Sequence, residues 1–432
     1  MKRFPLFCHS ERSEEPRNTF VRPFASLRVT ASVLAVLFWT CLVMGQEQKV
    51  VIQKGVVRRN FAVTGFTGDP SVGAQVADVL KNDLKLSGHF TIVPSAQAEF
   101  IQQGSVRIEG KNGVIECAVT LSATKQVVLS RAYQGSAQDI RRMVHRLTDD
   151  IVATITGQKG IAQSQIAFVL ERGAGVKELA VMDYDGHNAR QRTFDRTLSL
   201  HPRWSPDGRK IVYMSYLHRF PDVLEVNLYT GARRKLAAWP GLNSGAAYAP
   251  DGKTVALTLS KDGNPELYLM NANGGGLRRL TNTKGGESSP CWTPDGQNVT
   301  FVSDDGGSAQ IYSISREGGA PVKLATAPSY NTEPAWSWPP AGSPLSPMLG
   351  VTSRVGGKFQ IGLWDSATRE VRTLVADNGD NEDPSWGPDG RHLVFTKTRG
   401  YRPRLYLLDV LTGEQVELPA VEGGASEPAW GP

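Results

Sequence analysis

The sequence lacks the short motifs that carry enzyme chemistry. It contains no Gly-x-Ser-x-Gly elbow, which argues against a hydrolase domain, and no glycine-rich phosphate-binding loop. His187, His201, His218 and His392 are far apart in the chain and do not have metal-ligand spacing. His145 lies on a predicted helix without a ligand residue at the right spacing, so we expect it to be structural. These absences favour a binding protein over an enzyme.

Long hydrophobic runs are also scarce, with one exception near the N-terminus. Residues 31–44 are almost entirely apolar, follow Arg28 and end before Gly45. The run is short for a bilayer span, so we predict a cleaved signal peptide over residues 1–45, with an uncleaved anchor as the alternative. Acidic residues before Arg28, among them Glu11 and Glu15, are unusual in a signal peptide and indicate a true start further downstream.

Neither charge nor cysteine content points to a specialised class of protein. Cleavage after Gly45 would remove six basic and three acidic residues, so the formal net charge would fall from +6 to +3. This bias is too weak to predict nucleic-acid binding. Of four cysteines, Cys117 and Cys291 would remain. They could pair in an exported protein, but nothing in the sequence places them together, and we expect buried free thiols.

The sequence does contain a repeat. The segment Trp204-Ser205-Pro206-Asp207-Gly208 recurs around aromatic residues that are 44, 44, 44, 50 and 44 positions apart. Pro-Asp-Gly predicts a tight turn, and we expect each aromatic ring to pack between neighbouring sheets. A period near 44 with one small sheet per repeat is typical of a β-propeller. The motif aromatics are Trp204, Tyr248, Trp292, Trp336, Trp386 and Trp430.

The number of repeats predicts six blades. Residues 164–193 contain two predicted strands without a motif aromatic before them, whereas the last copy supplies an inner strand with nothing after it. The C-terminal strand should therefore complete the first blade and close the ring, which leaves no free sheet edge. The predicted fold class is two-domain, α/β plus all-β. A small N-terminal α/β domain at residues 58–160 is followed by a six-bladed β-propeller at residues 164–432.

The region before the repeats has its own pattern. Residues 46–57 form a leader, in which Val50-Val51-Ile52 could add as a strand to an exposed sheet edge. Asp69-Pro70 predicts the start of a helix that ends at Gly88. A three-stranded meander is predicted at residues 99–134, and a second helix from Ser136 to Gly157.

The junction between the two predicted domains carries the most specific segments. His145-Arg146-Leu147-Thr148-Asp149-Asp150-Ile151 is followed by Ile155-Thr156-Gly157 and Gln165-Ile166-Ala167-Phe168-Val169. With the repeats, these segments resemble the TolB family of the Tol-Pal cell-envelope system, and the resemblance covers residues 48–432. It departs from the family in two places. The helical stretch that usually follows Phe90-Thr91-Ile92 is nearly absent, and the fifth repeat has a proline-rich loop, residues 339–347, in place of Pro-Asp-Gly.

The resemblance implies a function in the cell envelope. Members of this family are non-enzymatic periplasmic adaptors that link the outer-membrane lipoprotein Pal to the inner-membrane protein TolA, and so maintain outer-membrane integrity and invagination during cell division. By resemblance we expect a monomer that has no cofactor, does not insert into the membrane and does not bind nucleic acid. The leader residues expected to contact a TolA-like protein are Lys49, Val50, Val51 and Ile52.

The loops before the inner strands are the predicted binding surface. In a propeller they cluster at one end of the central channel. By resemblance this face binds a Pal-like lipoprotein, although solvated turns are the alternative. The predicted contact residues are His201, Asn243, Ser244, Glu287, Ser288, Asn331, Thr332, Glu333, Asn381 and Glu382.

A propeller-type enzyme with a cation site is the alternative function. Glu333, Asp383 and Glu427 precede successive motif aromatics and could surround one mouth of the channel, where carboxylates can hold a cation. Acidic rims bind protein partners as readily as metals, so we predict no metal site.

Overall fold

The computed structural model describes residues 57–432 with the exception of Ala174. The predicted signal peptide, residues 1–45, lies outside the described residues, as does the leader before Val57 with Lys49, Val50, Val51 and Ile52. The described chain folds as an α/β domain followed by a six-bladed propeller, so the predicted fold class is confirmed.

The N-terminal domain is a five-stranded sheet against which two helices pack. Its elements are β1 (Arg59–Gly68), α1 (Pro70–Leu86), β2 (Phe90–Ile92), β3 (Phe100–Glu109), β4 (Asn112–Leu121), β5 (Val127–Ser136) and α2 (Ile140–Thr156). The strand order is β2-β1-β3-β4-β5, with β1 parallel to both of its neighbours and the meander β3-β4-β5 antiparallel. Phe61, Leu80, Val106, Leu147 and Ile151 are fully buried in one core.

The helix starts show where local sequence signals were sufficient. Helix α1 begins as predicted, because the Asp69 carboxylate accepts hydrogen bonds from the N–H groups of Ser71 and Val72, each at 3.0 Å. The second helix begins later than predicted: Ser136 caps a 3₁₀ turn, Ala137–Asp139, and the α-helix itself begins at Ile140. A second 3₁₀ turn, Ser95–Gln97, is the only helical segment between β2 and β3.

The propeller consists of six four-stranded antiparallel sheets. Its strands are, in blade 1, β6 (Gln165–Gly173), β7 (Val176–Asp183) and β8 (Arg190–Gln191); in blade 2, β9 (Ser199–Trp204), β10 (Lys210–Ser215), β11 (Asp222–Asn227) and β12 (Arg233–Ala237); in blade 3, β13 (Asn243–Tyr248), β14 (Thr254–Leu259), β15 (Glu266–Asn271) and β16 (Arg278–Arg279); in blade 4, β17 (Glu287–Trp292), β18 (Asn298–Ser303), β19 (Gln310–Ser315) and β20 (Val322–Lys323); in blade 5, β21 (Asn331–Trp336), β22 (Leu349–Val355), β23 (Lys358–Trp364) and β24 (Val371–Val375); in blade 6, β25 (Asp380–Trp386), β26 (His392–Arg399), β27 (Arg402–Asp409) and β28 (Gln415–Glu417); and the closing strand β29 (Gly424–Trp430).

The two ends of the propeller sequence meet in blade 1. Strand β29 pairs with β6, with Trp430 opposite Ile166 and Ala429 opposite Ala167, and it is the inner strand of that blade. The predicted closure by the C-terminal strand is therefore correct. It leaves the ring of blades without an unpaired inner edge.

The motif aromatics pack between blades as predicted. The indole N–H groups of Trp204, Trp292 and Trp386 donate to carbonyl oxygens on the inner strand of the preceding blade, at 2.8, 3.1 and 2.9 Å. Each hydrogen bond satisfies the one polar atom of a large buried ring. The motif aromatics thus determine how far apart neighbouring blades sit.

The N-terminal domain packs against the end of the propeller that carries the motif turns. Arg391 follows the Pro-Asp-Gly turn of blade 6, and its guanidinium donates to the Gly88 carbonyl at 3.0 Å and to Asp409 at 2.6 Å. Leu86 and Ile161 extend the contact into an apolar cluster that includes Trp430. Because the domain covers this end, the opposite end of the channel is left for the loops that precede the inner strands.

A buried polar network joins the same two domains around His145. Its Nδ1 atom lies 2.7 Å from Asp83, whose other carboxylate oxygen accepts a hydrogen bond from the Tyr184 hydroxyl at 2.8 Å. Asp83, His145 and Asp185 are close enough together to surround a cation. However, Arg141 already donates to Asp185, and His145 already contacts Asp83, so we assign the network to domain docking. Sequence spacing could not show these aspartates, because they come from distant segments.

The two remaining cysteines differ in burial. Both Cys117 and Cys291 are free thiols, as expected. Cys117 is buried, and burial raises its pKa to about 12. Cys291 is partly exposed, which corrects the expectation that both are buried. Within the described part of the chain, no helix is both long and apolar enough to cross a bilayer.

Candidate functional site

A bulge interrupts the inner strand of every blade at the same position. The pairing between the inner and second strands changes register there in all six blades. The residue three positions before each motif aromatic has a positive φ, between 49° and 59°. Five of these six residues are not glycine, and such strained backbone is found most often at functional sites. We call the six residues the channel ring: His201, Gly245, Ser289, Glu333, Asp383 and Glu427.

Ring residues of neighbouring blades contact one another. The His201 N–H donates to Glu427 Oε2 at 2.7 Å, and the imidazole Nδ1 lies 3.1 Å from the same oxygen. The Asp383 N–H donates to Glu333 Oε2 at 2.8 Å. Gly245 and Ser289 complete the ring in blades 3 and 4 without a charge. The channel is therefore charged on one side and neutral on the other.

Burial and crowding change the acidity of the ring carboxyl groups. Solvent reaches Glu333 and Asp383, but the channel walls surround them closely, and the loss of hydration raises the pKa of both. The neighbouring carboxylate adds to the effect, Asp383 in the case of Glu333 and Glu427 in the case of Asp383. Two threonine hydroxyls, from Thr352 and Thr396, donate to these carboxylates at 2.6 and 3.1 Å and oppose the rise in part.

Glu427 and His201 form the ionised part of the ring. Burial opposes ionisation of Glu427, but hydrogen bonds from His201 outweigh it and lower the pKa of the carboxyl. Burial likewise disfavours the imidazolium form of His201, yet the contact with Glu427 outweighs it and raises the imidazole pKa. Beside the ring, burial and Asp383 raise the pKa of Glu382 to about 7. The acidic side of the channel can thus gain or lose protons near neutral pH, which suits a site that receives a cationic group from a partner.

The predicted contact residues fall into three positions along the inner strand. Those at the first position are fully buried: Asn243, Glu287, Asn331 and Asn381 are all 0% exposed. Their side chains bond within the propeller; Asn331, for example, donates to Gln310 Oε1 at 2.9 Å and to the Pro328 carbonyl at 2.8 Å. A direct contact between these side chains and a partner is therefore not possible without unfolding of the loop.

The second and third positions are accessible. Ser244, Ser288, Thr332 and Glu382 are partly exposed next to the ring, whereas His201 and Glu333 belong to the ring itself. The structure thus brings six of the ten predicted contact residues to one solvent-accessible mouth. We call this end of the channel, formed by the inner-strand starts and the loops before them, the loop mouth.

Four ring residues were not among the predicted partner contacts: Gly245, Ser289, Asp383 and Glu427. A signal for them exists, because five of the six ring residues are followed directly by proline, as in Asp383-Pro384 and Glu427-Pro428. Alignment of the six repeats on this proline would have identified the ring position. The bulge that gives the position its meaning is visible only in the strand pairing.

The opposite end of the channel is lined by aromatic rings. A cavity of about 320 Å³ is surrounded by the six motif aromatics, several prolines of the motif turns, and Lys159 from the segment that joins the domains. Nearby, a cleft of about 430 Å³ lies between the two domains. Val57, the first described residue, lines this cleft together with Pro340, Pro344 and Leu345 of the proline-rich loop.

Comparison with known proteins agrees with this architecture. The family model described as TolB beta propeller domain matches residues 152–432, and the model described as TolB amino-terminal domain matches residues 48–112. The crystal structure of TolB from Acinetobacter baumannii superimposes with a TM-score of 0.76 and 26% sequence identity, covering 87% of this chain and 97% of that one.

Curated relatives carry the same family name. The Tol-Pal system protein TolB of Legionella pneumophila (strain Corby) is 29% identical over 203 residues, which are 42% of this chain and 48% of the relative. That of Actinobacillus succinogenes is 31% identical over 240 residues, 49% of this chain and 56% of the relative. The chain thus spans about half the length of the curated relatives it matches. Since a TolB model matches well over half of its residues, the chain belongs to the TolB family.

Proposed function

We propose that the protein is a non-enzymatic periplasmic adaptor of the Tol-Pal system, exported by a cleaved signal peptide. In this proposal it links a Pal-like outer-membrane lipoprotein, bound at the loop mouth, to a TolA-like inner-membrane protein, bound by the leader. It acts as a monomer, without a cofactor and without insertion into the membrane. This linkage maintains outer-membrane integrity and invagination during division.

The observation that carries the first half of the proposal is the channel ring. Five non-glycine residues keep a positive φ without a ligand, so the loop mouth is already shaped before any partner arrives. A rigid, preformed surface loses little conformational entropy on binding. The charged side, from Glu333 to His201, suits a partner that presents a basic or hydrogen-bond-donating segment, and the neutral side suits close backbone approach at Gly245 and Ser289.

The geometry of the chain ends supports the second half. Val57 lies at the cleft between the domains, and the N-terminal domain covers the end of the propeller opposite the loop mouth. A leader that leaves from this position is far from the loop mouth. One molecule can therefore engage two partners at the same time, as an adaptor requires.

Calorimetric titration with the periplasmic domain of a Pal-like lipoprotein tests the proposal. We expect wild-type protein to bind, and Asp383→Asn with Glu427→Gln to bind at least tenfold more weakly, about 1.4 kcal/mol. The matched control is Asp251→Asn with Glu317→Gln, which makes the same charge change away from the loop mouth and should bind like wild type. Equal affinity of all three proteins would contradict a partner contact at the ring.

The same titration distinguishes the adaptor from a cation-dependent enzyme. If Glu333, Asp383 and Glu427 held a catalytic cation, EDTA would abolish function and the ring variants would lose metal binding. The adaptor proposal expects binding of the lipoprotein domain to persist in EDTA. Absence of binding in every condition, together with a metal-dependent turnover, would overturn it.

Export is tested separately. The signal-peptide proposal expects a mature N-terminus at Gln46 and a product in the periplasmic fraction. Detection of residues 1–45 on the purified protein, or its retention in membranes after a salt wash, would contradict cleavage.

A further inference from the structure

A buried pair of carboxyl groups joins blades 3 and 4. Glu266 begins β15, Glu287 begins β17, and both side chains are 0% exposed and within hydrogen-bonding range of each other. Glu266 Oε1 accepts hydrogen bonds from Arg279 at 2.8 Å and from the Thr283 N–H at 2.9 Å. Glu287 Oε1 accepts from the hydroxyls of Thr283 at 2.7 Å and Ser303 at 2.9 Å.

The second oxygen of each carboxyl group has no other partner among the described residues. Glu266 Oε2 and Glu287 Oε2 are both buried, and no donor group reaches either of them. Two ionised carboxylates in this position would repel each other strongly, because the surroundings have a low dielectric constant. One proton held between the two oxygens removes the repulsion and supplies the missing hydrogen bond.

The neighbouring blades use amides at the same two positions. Asn331 donates to Gln310 Oε1 between blades 4 and 5, and Asn381 donates to Gln360 Oε1 between blades 5 and 6, each at 2.9 Å. In all three places the partners are separated by the same number of residues. An amide pair makes this hydrogen bond at any pH, whereas the glutamate pair makes it only while it keeps a proton.

Both glutamates hold the loop at residues 282–286, which belongs to the loop mouth. The Thr283 N–H binds Glu266 and the Thr283 hydroxyl binds Glu287, so the loop is tied to both members of the pair. We propose that the Glu266–Glu287 pair is a pH-sensitive latch, which holds this loop against the propeller while one proton is shared and releases it when both carboxyl groups are ionised.

The direction of the pH effect follows from the two titrations. Burial, together with the hydrogen bond to Glu266, raises the pKa of Glu287 to about 7. Its stabilising contribution is therefore complete below about pH 4.5, the ordinary glutamate value, and is lost as the pH rises through about 7. Burial opposes ionisation of Glu266, but its hydrogen bonds lower its pKa, so it stays ionised across this window.

Other charged groups around the pair titrate elsewhere or are exposed on the loops. Arg279 on β16 binds Glu266 and remains charged. Burial and Asp262 raise the pKa of Tyr268 to about 12, and burial also raises that of Tyr312 on β19. Asp304 and Asp305 accept the N–H groups of Gly286 and Lys284 from the loop before β19. A difference between matched variants isolates the pair from these groups.

Hydrogen exchange on the full chain between pH 5 and 8 tests the latch. In wild type, protection of the amides at residues 283–287, corrected for intrinsic exchange, should fall by about tenfold across this range. In Glu287→Gln, which copies the protonated form with an amide of the same shape, protection should stay constant and match wild type at pH 5. The double variant Glu266→Gln/Glu287→Asn, which copies the neighbouring blades, should also be insensitive to pH.

The converse variant gives an independent answer. Gln310→Glu with Asn331→Glu should install the same loss of protection at the start of β21, where wild type shows none. Parallel pH profiles in wild type and Glu287→Gln would overturn the latch, even if every variant folds. This outcome does not depend on whether a Pal-like partner binds, so the latch and the proposed function can fail separately.

Discussion

Individual residues at the inner-strand starts have two separate roles. The first residue of the strand, as in Asn243 or Asn331, is buried and closes the preceding loop, whereas the ring residue two positions later is accessible in the channel. Both are polar and both precede the motif aromatic, so composition alone does not distinguish them. Their roles differ because the bulge between them changes which face of the strand each side chain occupies.

The buried amides should matter for stability rather than for partner contact. Asn331→Ala leaves the Pro328 carbonyl and the side chains of Gln310 and Ser353 without their partner. We expect a loss of about 2 kcal/mol in the free energy of unfolding, measured by urea denaturation. Thr332→Ala, one residue away and partly exposed, should stay within about 0.5 kcal/mol of wild type. A stable Asn331→Ala protein would contradict the buried role.

The contact between His201 and Glu427 should be visible as a titration. Because Glu427 raises the imidazole pKa, NMR titration of His201 should give a midpoint above its ordinary value of about 6.5. In Glu427→Gln the midpoint should fall, since burial then acts without the opposing carboxylate. Glu422→Gln, an exposed site on the loop before β29, should leave the midpoint unchanged. A midpoint that is equal in all three proteins would show that the ring contact is not formed in solution.

At the scale of the strand, closure of the ring depends on one element. Strand β29 provides the inner strand of blade 1, and Trp430 fills the space beside blade 6, with its indole N–H bound to the Ser164 hydroxyl at 2.8 Å. The strand is also the last in the chain. Blade 1 is therefore assembled from residues at both ends of the propeller, and it can form only after the rest of the ring has folded.

Removal of β29 should destabilise the whole propeller. Loss of one large buried aromatic costs about 3–5 kcal/mol, and deletion of residues 424–432 also exposes two sheet edges, so the loss should be greater. Differential scanning calorimetry should show a large fall in Tm. Deletion of residues 431–432 alone keeps the strand and should cost much less. An unchanged Tm in the longer deletion would refute closure by β29.

At the scale of the whole molecule, polar networks hold the N-terminal domain on the propeller. Arg391 is buried and bridges Asp409 to the Gly88 carbonyl, while His145 and Asp83 reach Tyr184 on the other side of the contact. These groups are desolvated, so each depends on its partner. The orientation of the two domains, and with it the position of the cleft near Val57, follows from these contacts.

Loss of Arg391 should loosen this contact. Arg391→Leu leaves Asp409 buried with only the more distant Arg58 nearby, at 3.9 Å, and we expect a cost of about 3–5 kcal/mol in unfolding by urea. Cleavage by proteases in the segment at residues 157–163 should also become faster. Arg107→Leu, which removes a half-exposed ion pair with Glu116, should cost less than about 1 kcal/mol. Equal effects of the two variants would contradict a buried interdomain role for Arg391.

The sequence by itself determined the number of blades, the turn after each inner strand and the closing role of Trp430. It could do so because a repeat period, the Pro-Asp-Gly turn and the aromatic spacing are local features. Only the tertiary structure decided which polar residues line the channel, that Asn243 and Asn331 are buried, and that His145 meets Asp83. Those outcomes depend on an extra residue in each inner strand, and on which residues of distant blades and domains become neighbours. A glutamate pair in one blade and an amide pair in the next have the same sequence spacing, but only their burial makes the difference between them matter.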